Sequence, residues 1–210
     1  MSILIASLII GILSLDTTIA FQVLLSQPIF SCAILGWVLG DPMLGLQIGL
    51  IMQLLWINIM PVGASTFPEG NVGSMLTCAI VILTNTPEHE NLIFTVAFAA
   101  GIIISAVASQ LTVMDRKVND HILDLTLKAA DEVDFKRIMQ LDLAGGFLYA
   151  LIIFVLMLIS LSVTKLMLSV LMPALPVETE QLLQFVKPAV WSIGIGLTLH
   201  LIWNTQKNRA

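Results

Sequence analysis

One long apolar stretch interrupted by polar residues constrains this chain more than any other feature. It runs from Gly40 to Ser74, carries Gln53 and Asn58 inside its apolar part, breaks at Pro61, and continues as a turn-rich run. Irregular backbone between apolar segments is tolerated in a bilayer only where it is buried in protein or lines a water-filled cavity. We therefore expect a binding site at membrane depth, of the broken-helix kind that secondary transporters use.

The apolar composition places the whole chain in a membrane. Of its 210 residues, 58% are hydrophobic and 11% are charged, which is too apolar for one soluble core. Several apolar runs in the first half are shorter than the roughly 20 residues that a spanning helix needs. The sequence predicts an all-α integral membrane protein, a multi-helix bundle with broken or re-entrant helices in the N-terminal half. Cys32 and Cys78 lie within apolar runs and are interpreted as buried thiols.

The charges divide the chain into three parts. No Lys or Arg precedes Arg116, so the first apolar segment lacks the basic start of a cleaved signal peptide, and we expect it to be retained. Five of the nine Lys and Arg residues fall in residues 115–142, which the positive-inside rule places in the cytoplasm, with the acidic loop 85–91 outside. We predict a membrane region with the binding site (1–114), a cytoplasmic amphipathic loop (115–141) and C-terminal membrane helices (142–210).

Two polar residues in the first half are the strongest site candidates. Gln53 follows Gly45 and Gly49 at four-residue steps, so close helix packing and a polar group share one helix face. Its amide either binds a ligand or joins two helices. Glu69 lies between Pro68 and Gly70 in the turn-rich run, where it either faces a ligand or caps the following helix. We expect both side chains to line one polar hollow.

Five further polar residues are second candidates, each with a structural alternative. Asp16 faces a polar cavity or caps a helix that begins near Ile19. Gln22 and Gln27 face a ligand, or Pro28 is a plain proline kink. The remaining two are Asn58 and Asn71.

Two local patterns carry further predictions. Gly40-Asp41-Pro42 predicts a helix end followed by an Asp cap and a proline in the first turn of the next helix. Trp56 is interpreted either as a core or interface aromatic or as a ring that stacks on a ligand. The residue types and spacing of the segment from Ile48 to Trp56 recur near the C-terminus, and in this internal echo His200 takes the position of Gln53. The echo is either an internal repeat or a chance match.

The run from Gln27 to Ser74 carries a family resemblance. QPIFSCAILGWVLGDPMLGLQIG, followed by the G-A-S-x-x-P-E pattern that ends at Glu69, resembles the membrane subunit IIC of mannose/fructose/sorbose-type phosphotransferase systems. The upstream Leu15-Asp16-Thr17-Thr18 fits the same family. Where many relatives have Glu at position 53, this chain has Gln, which lacks the strength of a charged acceptor.

The resemblance implies a sugar permease subunit in a bacterial cytoplasmic membrane. Its partners would be a hexose or amino sugar, membrane lipid, a IID membrane subunit and a phosphorylated cytoplasmic IIB protein, in an oligomer, with no nucleic acid. It implies no cofactor, no metal and no catalytic group in the chain itself, because the phosphate comes from partner proteins. Gln53 and Glu69 would accept hydrogen bonds from sugar hydroxyls.

Two other classes of function stay open at the level of sequence. One is a regulatory or scaffold membrane subunit that docks IIB-like and IID-like proteins without transport. The other is an intramembrane enzyme or an ion channel, against which stand the scattered positions of the three histidines, His89, His121 and His200.

Overall fold

The protein is a bundle of α-helices, here described from a computed structural model that covers residues 1–20, 22–59 and 67–207. Within these ranges no β-strand occurs, so the predicted all-α fold is confirmed. The helices are α1 (Ser2–Thr18), α2 (Pro28–Leu39), α3 (Pro42–Trp56), α4 (Gly70–Leu83), α5 (Glu90–Asp131), α6 (Phe135–Ala174), α7 (Val177–Leu183) and α8 (Val186–Lys207), with a 3₁₀ turn at Pro87–His89.

The helices fall into two length classes. Three segments of the described chain are long and apolar enough to cross a membrane: Pro87–Asp131, Phe135–Ala174 and Glu178–Lys207. Helices α1 to α4 are apolar but shorter. At 1.5 Å per residue, α2 is about 18 Å long, whereas the hydrocarbon core is about 30 Å thick. The chain is a multi-pass membrane protein whose N-terminal half is built from helices too short to cross alone.

Helices α2 and α3 form a tight hairpin. Gly40 ends α2 in the left-handed conformation (φ 97°), and the Asp41 side chain accepts the Leu44 N–H at 2.9 Å. The predicted helix end and Asp cap are confirmed. A Cβ atom on Gly49 would lie 2.6 Å from the Pro28 carbonyl oxygen, so glycine is needed where the two backbones meet.

Helix α4 is the centre of the bundle. Eleven of its fourteen residues are buried, and it packs between the α2–α3 hairpin and α5. Glu69 immediately precedes α4. The fold therefore places this acid between α3 and α5 rather than at a surface.

Helices α5 and α6 form a long pair. Residues 115–131, predicted as part of a separate amphipathic loop, continue α5 without a break, and α5 is about 63 Å long. The chain then turns through Val133 (φ 57°), and Asp134 caps α6 by accepting the Arg137 N–H at 3.1 Å. The charged segment is thus the end of a helical pair. The predicted boundaries between the three parts of the chain, after residue 114 and before residue 142, stay predictions.

The segment between α1 and α2 corrects two predictions. Pro28 produces no kink, because it is the first residue of α2, where its missing N–H costs no helical hydrogen bond. No helix begins near Ile19, which is the C-terminal cap of α1. Asp16 instead accepts the backbone N–H groups of Val23 (2.8 Å) and Ser26 (3.0 Å) and so fixes the connection to α2.

Candidate functional site

A small polar cavity, called here the inner cavity, lies where α4 begins. Its volume is about 40 Å³, which is room for a few water molecules. Elements α1, α3, α4 and α5 and the segments before α2 and α4 contribute its walls. Its polar lining comprises Thr17, Gln27, Trp56, Glu69, Asn71, Ser109, Thr112 and Arg116.

Glu69 is the acid of the inner cavity, and α5 holds it. The Thr112 hydroxyl donates to Glu69 Oε1 at 3.1 Å, and the Glu69 backbone N–H donates to the Ser105 carbonyl at 2.9 Å. Glu69 is the N-cap residue of α4, but its side chain makes no capping hydrogen bond. The capping alternative for this carboxylate is therefore wrong, and the group faces α5 and the cavity instead.

A larger outer cavity adjoins the inner one. Its volume is about 320 Å³, at the lower end of the range typical of small-molecule sites. Gln27, Trp56 and Ile59 line both cavities. The rest of the outer lining is apolar apart from Gln53.

Gln53 joins α3 to the start of α2. Its Nε2 donates to Gln27 Oε1 at 3.1 Å, and its Oε1 accepts the Ile29 N–H at 3.4 Å, one of the backbone donors that the first turn of α2 leaves free. The helix-joining interpretation of Gln53 is thus part of its role. The amide also faces the outer cavity, so a ligand there would meet the Gln27–Gln53 pair.

Buried polar atoms without partners mark the same region. In the described part of the chain these atoms are Thr17 Oγ1, Trp56 Nε1, Asp115 Oδ1 and Tyr149 Oη. Thr17 and Trp56 line the inner cavity. Because buried polar groups are nearly always hydrogen-bonded, these two unsatisfied groups on one cavity indicate a place for a polar ligand or water.

The structure brings four of the seven predicted site residues together. Gln27, Gln53, Glu69 and Asn71 line the two adjoining cavities. The single hollow predicted for Gln53 and Glu69 is thus two cavities: Gln53 lines the outer and Glu69 the inner. Asn71 also donates to the Ser26 hydroxyl at 3.3 Å, which links α4 to the start of α2.

The other three predicted residues are not among the lining of these cavities. The Asp16 carboxylate caps the connection between α1 and α2, as described above. Gln22 is exposed in that connection with φ 51°. Asn58 donates to the Leu197 carbonyl at 3.3 Å and so ties the end of α3 to α8. The turn-rich residues Gly63 to Thr66 and Pro61 lie outside the described residues.

Helix α5 supplies a wall that the sequence analysis missed. Ser109, Thr112 and Arg116 line the inner cavity, and Ser105 accepts the Glu69 N–H one turn earlier. Their steps of four, three and four residues put all of them on one face of α5. That spacing was the signal in the sequence, and it runs across the predicted boundary between the membrane region (1–114) and the amphipathic loop (115–141).

The structure shows the surroundings of two further residues whose roles the sequence left open, Trp56 and His200. Trp56 is a cavity wall: its ring packs on Gly70, where an added Cβ would come within 2.5 Å of it. His200, the counterpart of Gln53 in the internal echo, is exposed on α8 and contacts Asn204 at 2.9 Å. The matching spacing therefore does not give the two residues matching surroundings.

Together these features define a class. Apolar helices that surround adjoining cavities lined by a carboxylate, amides, hydroxyls and a guanidinium make a membrane protein with polar internal cavities. The family model described as "PTS system sorbose-specific iic component" matches residues 1–208. The chain belongs to this family of phosphotransferase-system IIC components.

Individual relatives agree with this assignment. The sorbose-specific EIIC component of Klebsiella pneumoniae is 25% identical over 177 residues, covering 84% of this chain and 64% of the relative. The mannose-specific EIIC component of Escherichia coli K12 is 26% identical over 125 residues, covering 60% of this chain and 45% of the relative. The chain thus spans less than two thirds of the length of these relatives.

A solved structure shares the fold. One chain in the structure of the mannose transporter ManYZ in complex with microcin E492 superposes with a TM-score of 0.65 at 21% identity. The match covers 95% of this chain and 77% of that one. It supports the helical architecture described above.

Proposed function

We propose that this chain is the sugar-translocating IIC subunit of a phosphotransferase system in a bacterial cytoplasmic membrane. It binds a hexose or amino sugar and moves it to the side where partner subunits phosphorylate it. Its partners are a IID membrane subunit and a phosphorylated cytoplasmic IIB protein. Family membership and the relatives' names support the class of system, and the polar cavities support the binding role.

The observation that carries the proposal is the environment of Glu69. Glu69 lines a cavity to which Gln27, Asn71 and Trp56 also contribute, and the indole N–H of Trp56 has no hydrogen-bond partner among the described residues. Carboxylates accept from hydroxyls, amides both donate and accept, and an indole donates, which is the mixture that a polyhydroxylated ring requires. The flat face of Trp56 adds an apolar surface for the C–H side of such a ring.

The two cavities differ in size in a way that bears on translocation. The inner cavity, at about 40 Å³, is far below the range of sites that enclose a small molecule, whereas the outer cavity, at about 320 Å³, reaches it. We infer that the sugar enters by the outer cavity and reaches Glu69 when the inner cavity widens. Helices α3 and α5 both contribute to the walls of the inner cavity, so an increase in their separation would widen it.

The test is sugar binding by a Glu69→Gln variant. Glutamine keeps the size of the side chain but removes the charged acceptor, and hydrogen bonds to charged groups contribute about 1.5–3 kcal/mol. We expect affinity for the best ligand among L-sorbose, D-mannose and D-fructose to fall about 10- to 100-fold. Binding is measured by isothermal titration on the full-length protein with its copurifying subunits.

Glu88→Gln is the matched control, because Glu88 is exposed in the 3₁₀ turn before α5. It should bind sugar as the parent does. Equal affinity of Glu69→Gln and parent would contradict the assigned role of Glu69. Sugar phosphate that accumulates in vesicles containing all partners would distinguish a permease from a non-transporting scaffold.

A further inference from the structure

Both the backbone and the side chain of Glu69 are hydrogen-bonded to α5. The backbone N–H donates to the Ser105 carbonyl at 2.9 Å, and carboxylate Oε1 accepts from the Thr112 hydroxyl at 3.1 Å. Ser105 and Thr112 are seven residues apart, which is two helical turns, so both contacts come from one face of α5. The acid is therefore held by α5 in addition to α4, whose Gly73 N–H donates to the Glu69 carbonyl at 3.1 Å.

The Thr112 hydroxyl has two acceptors within reach for its one proton. The hydroxyl lies 3.1 Å from Glu69 Oε1 and 3.0 Å from the Ala108 carbonyl of its own helix, and it has one proton to donate. Thr112 is only 5% exposed, so its hydroxyl is largely shielded from bulk water. A charged carboxylate is the stronger acceptor, so the proton belongs on the Glu69 side while Glu69 is ionised.

Thr126 shows what a threonine does on the same helix without an acid beside it. Its hydroxyl donates to the Ile122 carbonyl at 2.8 Å, the ordinary bond of a helical threonine to the residue four positions earlier. Thr112 has the same bond available and in addition faces an acid that lines a cavity. The difference between the two threonines is the Glu69 contact.

We propose that Thr112 is a positioning residue for the ligand of the inner cavity. By engaging Oε1 it sets the plane of the Glu69 carboxylate and directs the other oxygen, Oε2, at a ligand hydroxyl. Thr112 thereby determines how well the acid discriminates a ring that has a hydroxyl at that place from one that lacks it. This inference rests on the proposed function, because it assigns a role within the same sugar site.

The first experiment compares three variants by isothermal titration with the tightest-binding of L-sorbose, D-mannose and D-fructose. Thr112→Val keeps the shape and removes the donor, and we expect affinity to fall about fivefold. Thr112→Ser keeps the donor and should restore binding to within about twofold of the parent. Thr126→Val is the matched control and should bind as the parent does. The unfolding midpoint of each variant, measured in parallel, reports whether it folds.

The second experiment separates positioning from packing. If Thr112 acts through Glu69, Thr112→Val should cause no further loss of affinity in a Glu69→Gln background. An equal fivefold loss in both backgrounds, or a loss in Thr112→Ser as large as in Thr112→Val, would overturn the proposal. If Thr112→Val does not fold, Thr112→Ser is the test. A folded Thr112→Ser protein that binds more weakly than the parent, beyond the twofold range, would then overturn the proposal.

The outcomes distinguish this inference from the proposed function. If Glu69→Gln weakens binding but Thr112→Val does not, the sugar site stands and the positioning role of Thr112 is wrong. If the parent protein binds none of the three sugars, the proposed function fails and this inference fails with it.

Discussion

The inner and outer cavities differ in what their walls offer a ligand. The inner cavity has an acid, a guanidinium and several hydroxyls in about 40 Å³, whereas the outer cavity has one amide pair and a mostly apolar lining in about 320 Å³. Charge is thus concentrated where space is smallest. A polar ligand can be admitted by the outer cavity with little specificity and recognised in the inner one, because desolvated charge-assisted hydrogen bonds are the strong ones.

The two cavities also differ in what supports them. The outer cavity is built on the α2–α3 hairpin, where glycines let the backbones touch. The inner cavity is held by side-chain and backbone hydrogen bonds between Glu69 and α5. Substitutions that disturb packing should therefore act on the outer cavity, and substitutions that break the hydrogen bonds of Glu69 should act on the inner one.

The largest effect is expected from Gly49→Leu. A Cβ at this position would lie 2.6 Å from the Pro28 carbonyl oxygen and 3.1 Å from Cys32 Cβ, so the hairpin would be forced apart. We expect destabilisation at or above the upper end of the roughly 1–3 kcal/mol that overpacking costs, with loss of sugar binding. The unfolding midpoint in nanodiscs measures it. Gly196→Leu is the control, because nothing lies within 4 Å of a Cβ at Gly196, and it should unfold as the parent does.

A smaller effect is expected from Gln53→Leu. The change removes the hydrogen bond to Gln27 and the acceptor for the Ile29 N–H. Neutral hydrogen bonds contribute about 0.5–1.5 kcal/mol, so sugar affinity should fall about threefold, less than for Glu69→Gln. Titration and thermal unfolding are measured together. A lower unfolding midpoint at unchanged affinity would show that Gln53 only joins helices. A loss of affinity larger than that of Glu69→Gln would show that the sugar is recognised in the outer cavity and not in the inner one.

The smallest effect is expected from Asn58→Ala. The Asn58 side chain is partnered with the Leu197 carbonyl of α8 and does not line either cavity. Exposed substitutions of this kind usually change stability by less than about 0.5 kcal/mol, and sugar affinity should change by less than about twofold. A tenfold loss of affinity in the same titration would show that the site extends to the contact between α3 and α8.

The sequence predicted the short helices and singled out Glu69, which lines the inner cavity, because both leave strong local signals. The sequence alone is enough to recognise apolar runs shorter than a membrane span, the Gly40-Asp41-Pro42 turn and an acid between Pro68 and Gly70. Asp16 was harder, because a carboxylate that caps a connection and one that lines a cavity look alike in sequence. Only the positions of the Val23 and Ser26 N–H groups decide between them.

The α5 wall was missed for a physical reason. Serine and threonine hydroxyls in an apolar helix hydrogen-bond to carbonyls of the preceding turn, so they carry little hydropathy signal. Ser105 does so here, to the carbonyl of Ile102 at 2.7 Å, and Thr112 has the Ala108 carbonyl within reach at 3.0 Å. What gives this face its acidic partner is Glu69, which is 43 positions away from Thr112 and comes to it through the packing of α4 on α5.

The measurement that tests the central claim most directly is a cryo-electron microscopy structure of the full-length protein, with its partner subunits, at saturating sugar. The account predicts density for one sugar ring against Trp56, with a ring hydroxyl within hydrogen-bond distance of the Glu69 carboxylate and a widened inner cavity. A sugar bound elsewhere, with the inner cavity unchanged and no ligand beside Trp56, would contradict it.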